Sequence, residues 1–158
     1  MLTSGGGVET NITSNGTQMR VIVNSGAMPW QAARDTCLGL GSDLAALTSA
    51  EIASAIAAQV QSQMAGSAFQ GVWIGGVDAE RKGAWKWADG SVWANTSWAP
   101  SQPDNYNGVE GCLQLITPEQ SASVAWKWND MPCGATLPFV CTVQGEVVVF
   151  KVNCAKTA

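Results

Sequence analysis

The stretch Gln102-Pro103-Asp104 decides how the rest of the sequence is interpreted, because further polar residues follow it at fixed distances. Glu110 lies eight residues after Gln102, and the segment Trp128-Asn129-Asp130 comes later. The five candidate metal ligands all offer amide or carboxylate oxygens: Gln102, Asp104, Glu110, Asn129 and Asp130. Such oxygens suit a hard cation, calcium first. The sequence therefore predicts that two loops meet at one calcium ion, and Pro103 can hold the cis peptide that turns its neighbours to one side of a tight loop.

The composition is typical of one globular domain with a small negative charge. The chain has 158 residues, of which 46% are hydrophobic, and its mean hydropathy is +0.06. This is enough to bury a real core. The net charge of −4, without a cluster of Lys or Arg, argues against a nucleic-acid or anionic-membrane partner. No apolar run reaches the ~18–20 residues that span a bilayer, so we expect no membrane insertion.

Five cysteines and no histidine indicate disulfide bonds rather than a zinc site. The chain has no CxxC pair, whereas tetrahedral zinc sites usually draw on close Cys or His pairs. Counting cysteines leaves several pairings open and one cysteine unpaired. The five are Cys37, Cys112, Cys133, Cys141 and Cys154.

Three Asn-x-Ser/Thr sequons, at Asn11, Asn15 and Asn95, agree with the oxidising compartment that disulfides require. They are candidate glycosylation sites. The sequence therefore predicts a glycoprotein that is secreted or held at the extracellular surface.

Local patterns predict an α+β domain with an additional segment at each end. Residues 1–18 are rich in Gly, Ser, Thr and Asn, which predicts a flexible N-terminal segment, with a loosely held first strand as the alternative. The domain is predicted over residues 19–143. Residues 144–158 form a C-terminal extension with one extra strand, at 147–150, and Cys154. Two helices followed by many short strands are typical of the α+β class.

The first helix is predicted to begin at Pro29 and to end near Gly39 or Gly41, with Cys37 on its buried face. The second follows a capping box, Thr48-x-x-Glu51. Strands are predicted at 19–23, 72–76, 85–87, 113–116, 126–128 and 139–143. A long loop over 88–111 indicates a functional segment. Most of the eight tryptophans lie in strand-like segments and are predicted to pack in the core, which leaves Trp93 and Trp98 undecided.

Over residues 19–143 the chain resembles a C-type lectin domain. The resemblance rests on the order and spacing of Cys37, Trp73-Ile74-Gly75-Gly76, Gln102-Pro103-Asp104, Glu110, Cys112, Trp128-Asn129-Asp130, Cys133 and Cys141. It implies two helices with small antiparallel sheets and a long calcium-binding loop region. It also implies the disulfides Cys37–Cys141 and Cys112–Cys133. The five oxygen-bearing residues would form the family's sugar-binding calcium site.

In this family a Gln-Pro-Asp triplet is associated with galactose-type sugars and a Glu-Pro-Asn triplet with mannose-type sugars. Five side chains leave vacancies in a calcium shell of 6–8 oxygens, which two adjacent sugar hydroxyls can fill. The predicted sugar-binding residues are Gln102, Asp104, Tyr106, Glu110 and Asn129, and the resemblance assigns Tyr106 the stacking role of an aromatic. We therefore expect glycans with terminal galactose or N-acetylgalactosamine as partners.

The family's auxiliary calcium site is predicted to be empty or weak. Asp78 matches one of its ligands, but Lys82, Asn105 and Gly111 fall where carboxylates are expected. A lysine at that place opposes a cation.

Other functions stay open at the level of sequence. An enzyme is disfavoured, because a chain without histidine has no Ser-His or Cys-His nucleophile and its acidic residues are spaced for a metal shell. The alternatives are a calcium-stabilised structural or adhesion module that binds a protein, and an ice-binding protein of the same fold. Cys154 is a candidate for an intermolecular disulfide in a homo-oligomer or a larger assembly.

Overall fold

The structure is a computed structural model, and it describes residues 7–14 and 16–144. The chain folds in the order β1 Gly7–Ser14, β2 Thr17–Met28, α1 Trp30–Gly39, β3 Asp43–Leu44, α2 Ala50–Met64, β4 Val72–Val77, β5 Lys86–Trp87, β6 Glu110–Leu115, β7 Trp128–Pro132 and β8 Leu137–Gln144. Short 3-10 turns occur at Tyr106–Gly108 and Ala122–Val124. The predicted strand at 147–150, Cys154 and the sequon at Asn15 lie outside the described residues.

Two helices cover the sheet with the faces that the sequence indicates. Pro29 is the N-cap of α1, and Trp30, Ala33 and Cys37 form the buried face of that helix. In α2 the buried stripe has the spacing of an amphipathic helix and consists of Ile52, Ile56, Val60 and Met64. The prediction of two helices is confirmed.

The strands form a sheet in the order β1-β2-β8-β4-β6-β7, to which β3 and β5 add at β8 and β4. All neighbouring pairs are antiparallel except β4 and β8, which touch in parallel at Trp73 and Phe139. Gly76 packs directly on Leu113, and a side chain at Gly75 would meet the Leu44 carbonyl oxygen at 2.6 Å. The close approach of β4 to its neighbours therefore depends on these two glycines.

Two disulfides confirm the pairing that the resemblance implies. Cys37 of α1 is bonded to Cys141 of β8, with Cα atoms 5.5 Å apart. Cys112 of β6 is bonded to Cys133, with Cα atoms 5.1 Å apart. The first bond fixes a helix to the sheet, and the second ties β6 to the segment that follows β7.

Tryptophans form much of the core, as predicted. Trp73, Trp87 and Trp128 are almost completely buried. Trp93 and Trp98, which the sequence left undecided, are partly buried and pack against that core. Their rings lie within 4.8 to 5.8 Å of Trp87 or Trp128, centroid to centroid. The long loop is thus anchored by aromatic packing.

The structure corrects three local predictions. The N-cap of α2 is Ser49, whose side chain accepts a hydrogen bond from the Ile52 N–H, and not Thr48. Trp126 does not begin a strand, because its φ of +66° is outside the β region, and β7 begins only at Trp128. Residues 1–18 were predicted to be a flexible segment, with a first strand as the alternative. Gly7–Ser14 form β1, which pairs with β2, so the alternative holds for this part of the segment.

Candidate metal centre

The structure brings the two predicted ligand segments together at one edge of the sheet. Residues 102–105 belong to the loop that precedes β6, and the Gln102–Pro103 peptide is cis, as expected. Asn129 and Asp130 lie on β7, which pairs with β6 through the partners Gln114↔Asn129 and Leu113↔Asp130. The Cys112–Cys133 disulfide joins β6 to the residue that directly follows β7. Strand pairing and a covalent bond therefore both position the site.

Three carboxylates converge in this place. Ligand oxygens of Asp104, Glu110 and Asp130 all lie within 4.8 Å of one another. Asp130 is almost completely buried with 1% exposure, Glu110 is half-buried, and Asp104 is exposed. This set of three residues is called the acidic group below.

The acidic group also shapes the loop that carries it. Asp130 accepts hydrogen bonds from the backbone N–H of Asp104 at 3.2 Å and of Asn105 at 2.7 Å. Glu110 Oε2 accepts the N–H of Tyr106 at 3.0 Å, and the Glu110 N–H donates to Asn105 Oδ1 at 3.1 Å. These bonds form one closed network, in which the carboxylates hold the loop and the loop holds the carboxylates.

Like charges in the acidic group affect the protonation of Glu110. Partial burial raises the pKa of Glu110, the hydrogen bond from the Tyr106 N–H lowers it, and the charges of Asp130 and Asp104 raise it further, with a net increase. Without a cation, burial and the neighbouring charges therefore disfavour the ionised form of Glu110. A divalent ion at this place would offset that effect.

Amide oxygens complete the predicted ligand set. Gln102 Oε1 is buried and accepts no hydrogen bond, although buried acceptors are nearly always paired. Asn129 donates from Nδ2 to Gln114 Oε1 at 3.1 Å, which leaves its own Oδ1 free of that contact. Carboxylates together with an unsatisfied amide oxygen are the chemistry that a calcium ion requires, so the residues fit this ion.

A cavity of about 330 Å³ lies beside the acidic group, and a second set of residues lines it. This set, the mixed group, consists of Asp78, Arg81, Lys82 and Gly83. Asp78 is 3% exposed; its Oδ2 accepts the Gly83 N–H at 2.7 Å, while its Oδ1 is buried without a partner. The mixed group thus holds one carboxylate and two basic residues.

The mixed group contains Asp78 and Lys82, which the resemblance places at the family's auxiliary calcium site. A side chain at Gly111 would approach the Asp78 carbonyl oxygen at 2.5 Å and Arg81 Cγ at 3.1 Å, so no carboxylate fits there with this backbone. Lys82 forms an exposed ion pair with Glu80 at 2.8 Å. Asn105 Nδ2 donates to the Arg81 carbonyl at 3.3 Å rather than offering an oxygen. These contacts support the prediction of an empty or weak auxiliary site.

An exposed aromatic residue lies beside the acidic group, and a second cavity lies elsewhere in the domain. Tyr106 begins the 3-10 turn beside Glu110, and 66% of its surface is exposed. A larger cavity of about 630 Å³ lies between α2 and the long loop, where Asn95, Trp126 and Trp128 are among its lining residues. Among the described residues no carboxylate lines that cavity, so the metal hypothesis stays with the acidic group.

Sequence reasoning missed one participant, Gln114. It sits between Leu113 and Leu115 in a segment predicted only as a strand, and its contact with Asn129 connects it to the site. An amide at a fully buried strand position is the signal that could have identified it, but burial on both faces of β6 is not visible in the sequence.

Comparisons with known proteins agree with this geometry. A family model described as "Lectin C-type domain" matches residues 26–143. Human C-type mannose receptor 2 is 30% identical over 119 residues, which are 75% of this chain and 7% of that protein. Ladderlectin of Oncorhynchus mykiss is 32% identical over 112 residues, which are 71% of this chain and 55% of that protein. The chain thus spans less than two thirds of the length of these relatives.

Solved structures give the same result. The mouse scavenger receptor C-type lectin carbohydrate-recognition domain has a TM-score of 0.70 at 28% identity, covering 89% of this chain and 96% of that one. A calcium-independent type II antifreeze protein has a TM-score of 0.66 at 27% identity, covering 85% and 96%. The chain belongs to the C-type lectin domain family and has its fold.

Membership of this family carries coarse functional information. C-type lectin domains usually bind Ca²⁺ and bind glycans, and the family and fold are typically non-enzymatic. Within the part of the chain that the structure describes, no helix combines the length and apolar character needed to cross a membrane.

Proposed function

We propose that this chain binds one calcium ion through Gln102, Asp104, Glu110, Asn129 and Asp130, and that it binds sugar through that ion. The observation that carries the proposal is the convergence of three carboxylates within 4.8 Å. The unpartnered buried oxygen of Gln102, two residues before Asp104 in the chain, supports it. A divalent cation would offset the repulsion within the acidic group and satisfy that oxygen at once.

The sugar would complete the calcium shell. Five side chains do not fill a shell of 6–8 oxygens, and two adjacent hydroxyls of a sugar have the spacing to do so. Their protons would be donated to the carboxylates that hold the ion, which makes metal and sugar one site. Tyr106, which is 66% exposed, has a face available for the apolar side of the ring.

The proposed ligands are glycans that end in galactose or N-acetylgalactosamine. Support comes from the Gln102-Pro103-Asp104 triplet and from Tyr106, through the resemblance described above. A monosaccharide would bind weakly, with a Kd of about 1 mM, because few atoms are buried. Useful affinity would come from several copies acting together. The natural setting that we propose is secreted or at the extracellular surface.

A second candidate is a role without sugar, such as ice binding or a structural contact with a protein. The likeness to a calcium-independent antifreeze protein at 27% identity favours it, because this fold therefore occurs with a different ligand. Retention on sugar separates the two candidates, because a structural or adhesion module of this fold can be calcium-stabilised as well. The acidic group gives calcium-dependent sugar binding the stronger support.

The first experiment measures the melting temperature in calcium and in chelator. Calcium should stabilise the parent by about 2.7 kcal/mol at a concentration of 100 Kd. Asp104→Ala should lose this gain, whereas Asp35→Ala, which removes an exposed carboxylate on α1, should keep it. Equal melting temperatures of the parent in calcium and in chelator would overturn the calcium assignment.

The second experiment measures retention on galactose and mannose resins. Retention on galactose that is released by chelator or by free galactose supports the proposal. Retention on mannose alone would overturn the galactose assignment but not the lectin assignment. Failure to bind either resin, together with thermal hysteresis or capture of a defined protein partner, would instead establish the second candidate.

A further inference from the structure

Gln114 is a buried polar residue flanked by apolar residues in its strand. It lies in β6 with a relative exposure of 1%, between Leu113 and Leu115, which are equally buried. A buried amide is unfavourable unless its N–H and C=O groups find partners. The partners of Gln114 therefore indicate why a glutamine stands there.

The amide orientation of Gln114 is fixed by the two oxygens that accept hydrogen bonds from its Nε2. Nε2 donates to the backbone carbonyl of Gln70 at 2.9 Å and to Gln120 Oε1 at 3.1 Å. Because the Gln70 partner is a carbonyl oxygen, a flipped Gln114 amide would place oxygen against oxygen. Oε1 must consequently face the other way, where it accepts a hydrogen bond from Asn129 Nδ2 at 3.1 Å.

The orientation of Asn129 follows from that of Gln114. The two residues are direct cross-strand partners in the β6–β7 pair. Since Gln114 offers only an acceptor to this neighbour, Asn129 must present Nδ2 to it and keep Oδ1 on the opposite side of its amide. We propose that Gln114 is a positioning residue that holds the Asn129 amide with its oxygen available to calcium. This inference rests on the proposed function.

Backbone geometry at Gly71 supports the same role. A Cβ atom at Gly71 would lie 2.8 Å from Gln114 Cγ, and the φ of Gly71 is +148°. Only glycine adopts this conformation easily and leaves this space. The chain therefore reserves room for the Gln114 side chain next to the Gln70 carbonyl that fixes its orientation.

Calorimetric titration of the purified chain with CaCl₂ tests the proposal. Gln114→Met keeps a long unbranched side chain but removes both polar groups. It should raise the calcium Kd about tenfold, which is the usual size of an effect from residues that orient metal ligands. Gln120→Ala removes one acceptor of Gln114 without touching Asn129, and it should leave the Kd within about twofold, because the Gln70 contact remains.

A double substitution separates positioning from a general effect on the fold. An aspartate has two equivalent oxygens, so in Asn129→Asp either oxygen of the carboxylate can face calcium and no neighbour has to orient it. Gln114→Met should therefore weaken calcium binding in the parent and not in the Asn129→Asp background. Equal weakening in both backgrounds would show that Gln114 acts only through the fold, and would overturn the proposal.

The outcomes distinguish this inference from the proposed function. If the parent does not bind calcium, the proposed function fails and the inference fails with it. If the parent binds calcium and Gln114→Met binds it equally well, only the inference fails. Should Gln114→Met not fold, NMR of the Asn129 side-chain amide in the parent decides: slow hydrogen exchange at Nδ2 in chelator is expected, and fast exchange would overturn the inference.

Discussion

The cavity of about 330 Å³ beside the acidic group is lined by two sets of residues with different charge. In the acidic group, Asp104, Glu110 and Asp130 present three carboxylates and no basic side chain. In the mixed group a single carboxylate, Asp78, is accompanied by Arg81 and Lys82. The two groups share one feature: in each, a buried carboxylate accepts a hydrogen bond from a backbone N–H group.

The difference shows that holding a loop and holding an ion are separate tasks of a buried carboxylate. Asp78 fixes the turn at Gly83 and is the single carboxylate of the mixed group, whose other charged residues, Arg81 and Lys82, oppose a cation. Asp130 fixes the turn at Asn105 and also faces two more carboxylates, whose repulsion a cation would relieve. We therefore expect calcium at the acidic group alone.

The largest expected effect separates the two buried carboxylates. Asp130→Asn should remove the calcium-dependent stabilisation of about 2.7 kcal/mol at 100 Kd. It should also weaken the chain in chelator, because the N–H groups of Asp104 and Asn105 bond to different oxygens of Asp130, and in the amide an NH2 group replaces one of these acceptors. Melting temperatures in calcium and in chelator measure both changes.

Asp78→Asn is the matched variant on the other side of the comparison. Its amide oxygen can still accept the Gly83 N–H, so the response to calcium should equal that of the parent. If Asp78→Asn instead loses the calcium response, the ion sits at the mixed group and the comparison is reversed.

A smaller effect is expected at the rim of the acidic group. Tyr106→Ala should weaken sugar binding about fivefold, or ~1 kcal/mol, because the stacking face is lost. Calcium affinity should not change, since Tyr106 contacts Glu110 only through its backbone N–H. Val109→Ala, which changes an exposed apolar residue of the same loop, is the control and should leave the release of the protein from galactose resin unchanged.

The pH dependence of the metal-free chain should reveal the raised pKa of Glu110, which burial causes first and the charges of Asp130 and Asp104 increase. The pKa of Glu110 is raised in the folded chain, so the folded state binds its proton more tightly than the unfolded state does. The contribution of Glu110 to the free energy of unfolding should therefore rise as pH falls through the raised pKa towards the ordinary value of 4.5, and be absent above the raised pKa.

Urea unfolding in chelator at a series of pH values measures this contribution. In Glu110→Gln the rise should be missing, although the acceptor for the Tyr106 N–H is kept. With calcium bound the trend should reverse, because the ion favours the charged carboxylate and protons compete with it. An identical pH profile of parent and variant in chelator would contradict the raised pKa.

The smallest expected effect is none at all. Calorimetry should give one calcium per chain. Lys82→Ala should not create a second site, because Arg81 is still present and Asp78 is still the single carboxylate of the mixed group. The exposed pair of Lys82 with Glu80 contributes little to stability either. A stoichiometry of two in the parent would show that the mixed group binds calcium as well.

The convergence of Asp104, Glu110 and Asp130 was predictable because the residue types in this part of the sequence and their order are unusual. Three acids and two amides, with Cys112 and Cys133 between and after them, suit few chemistries other than a hard cation. Gln114 escaped prediction, since polar residues that alternate with apolar ones usually face solvent, and only the three-dimensional cover of β6 buries it.

Local errors in the fold have equally physical causes. Trp126-Lys127-Trp128 has the alternation of a strand, yet a tight hydrogen bond from the Trp126 N–H to the Ile116 carbonyl at 2.7 Å holds a turn there. Thr48 and Ser49 are both good N-caps, and sequence does not decide between adjacent candidates. Composition predicted a flexible N-terminal segment, but pairing with β2 from Gly7 to Ser14 gives that polar stretch backbone partners.

The pairing of β1, β2 and β8 has a mechanical consequence. Gly7 lies opposite Asn24, whereas Gln144 lies opposite Met19, so the outer ends of β1 and β8 are at opposite ends of β2. A pull on these two ends acts along the strands and across their perpendicular hydrogen bonds, which loads the ladder in shear rather than opening it bond by bond. The Cys37–Cys141 bond then limits how far β8 can slide. A force applied between Gly7 and Gln144 would therefore be carried by the ladder of β1, β2 and β8, away from β6 and β7, which position the acidic group.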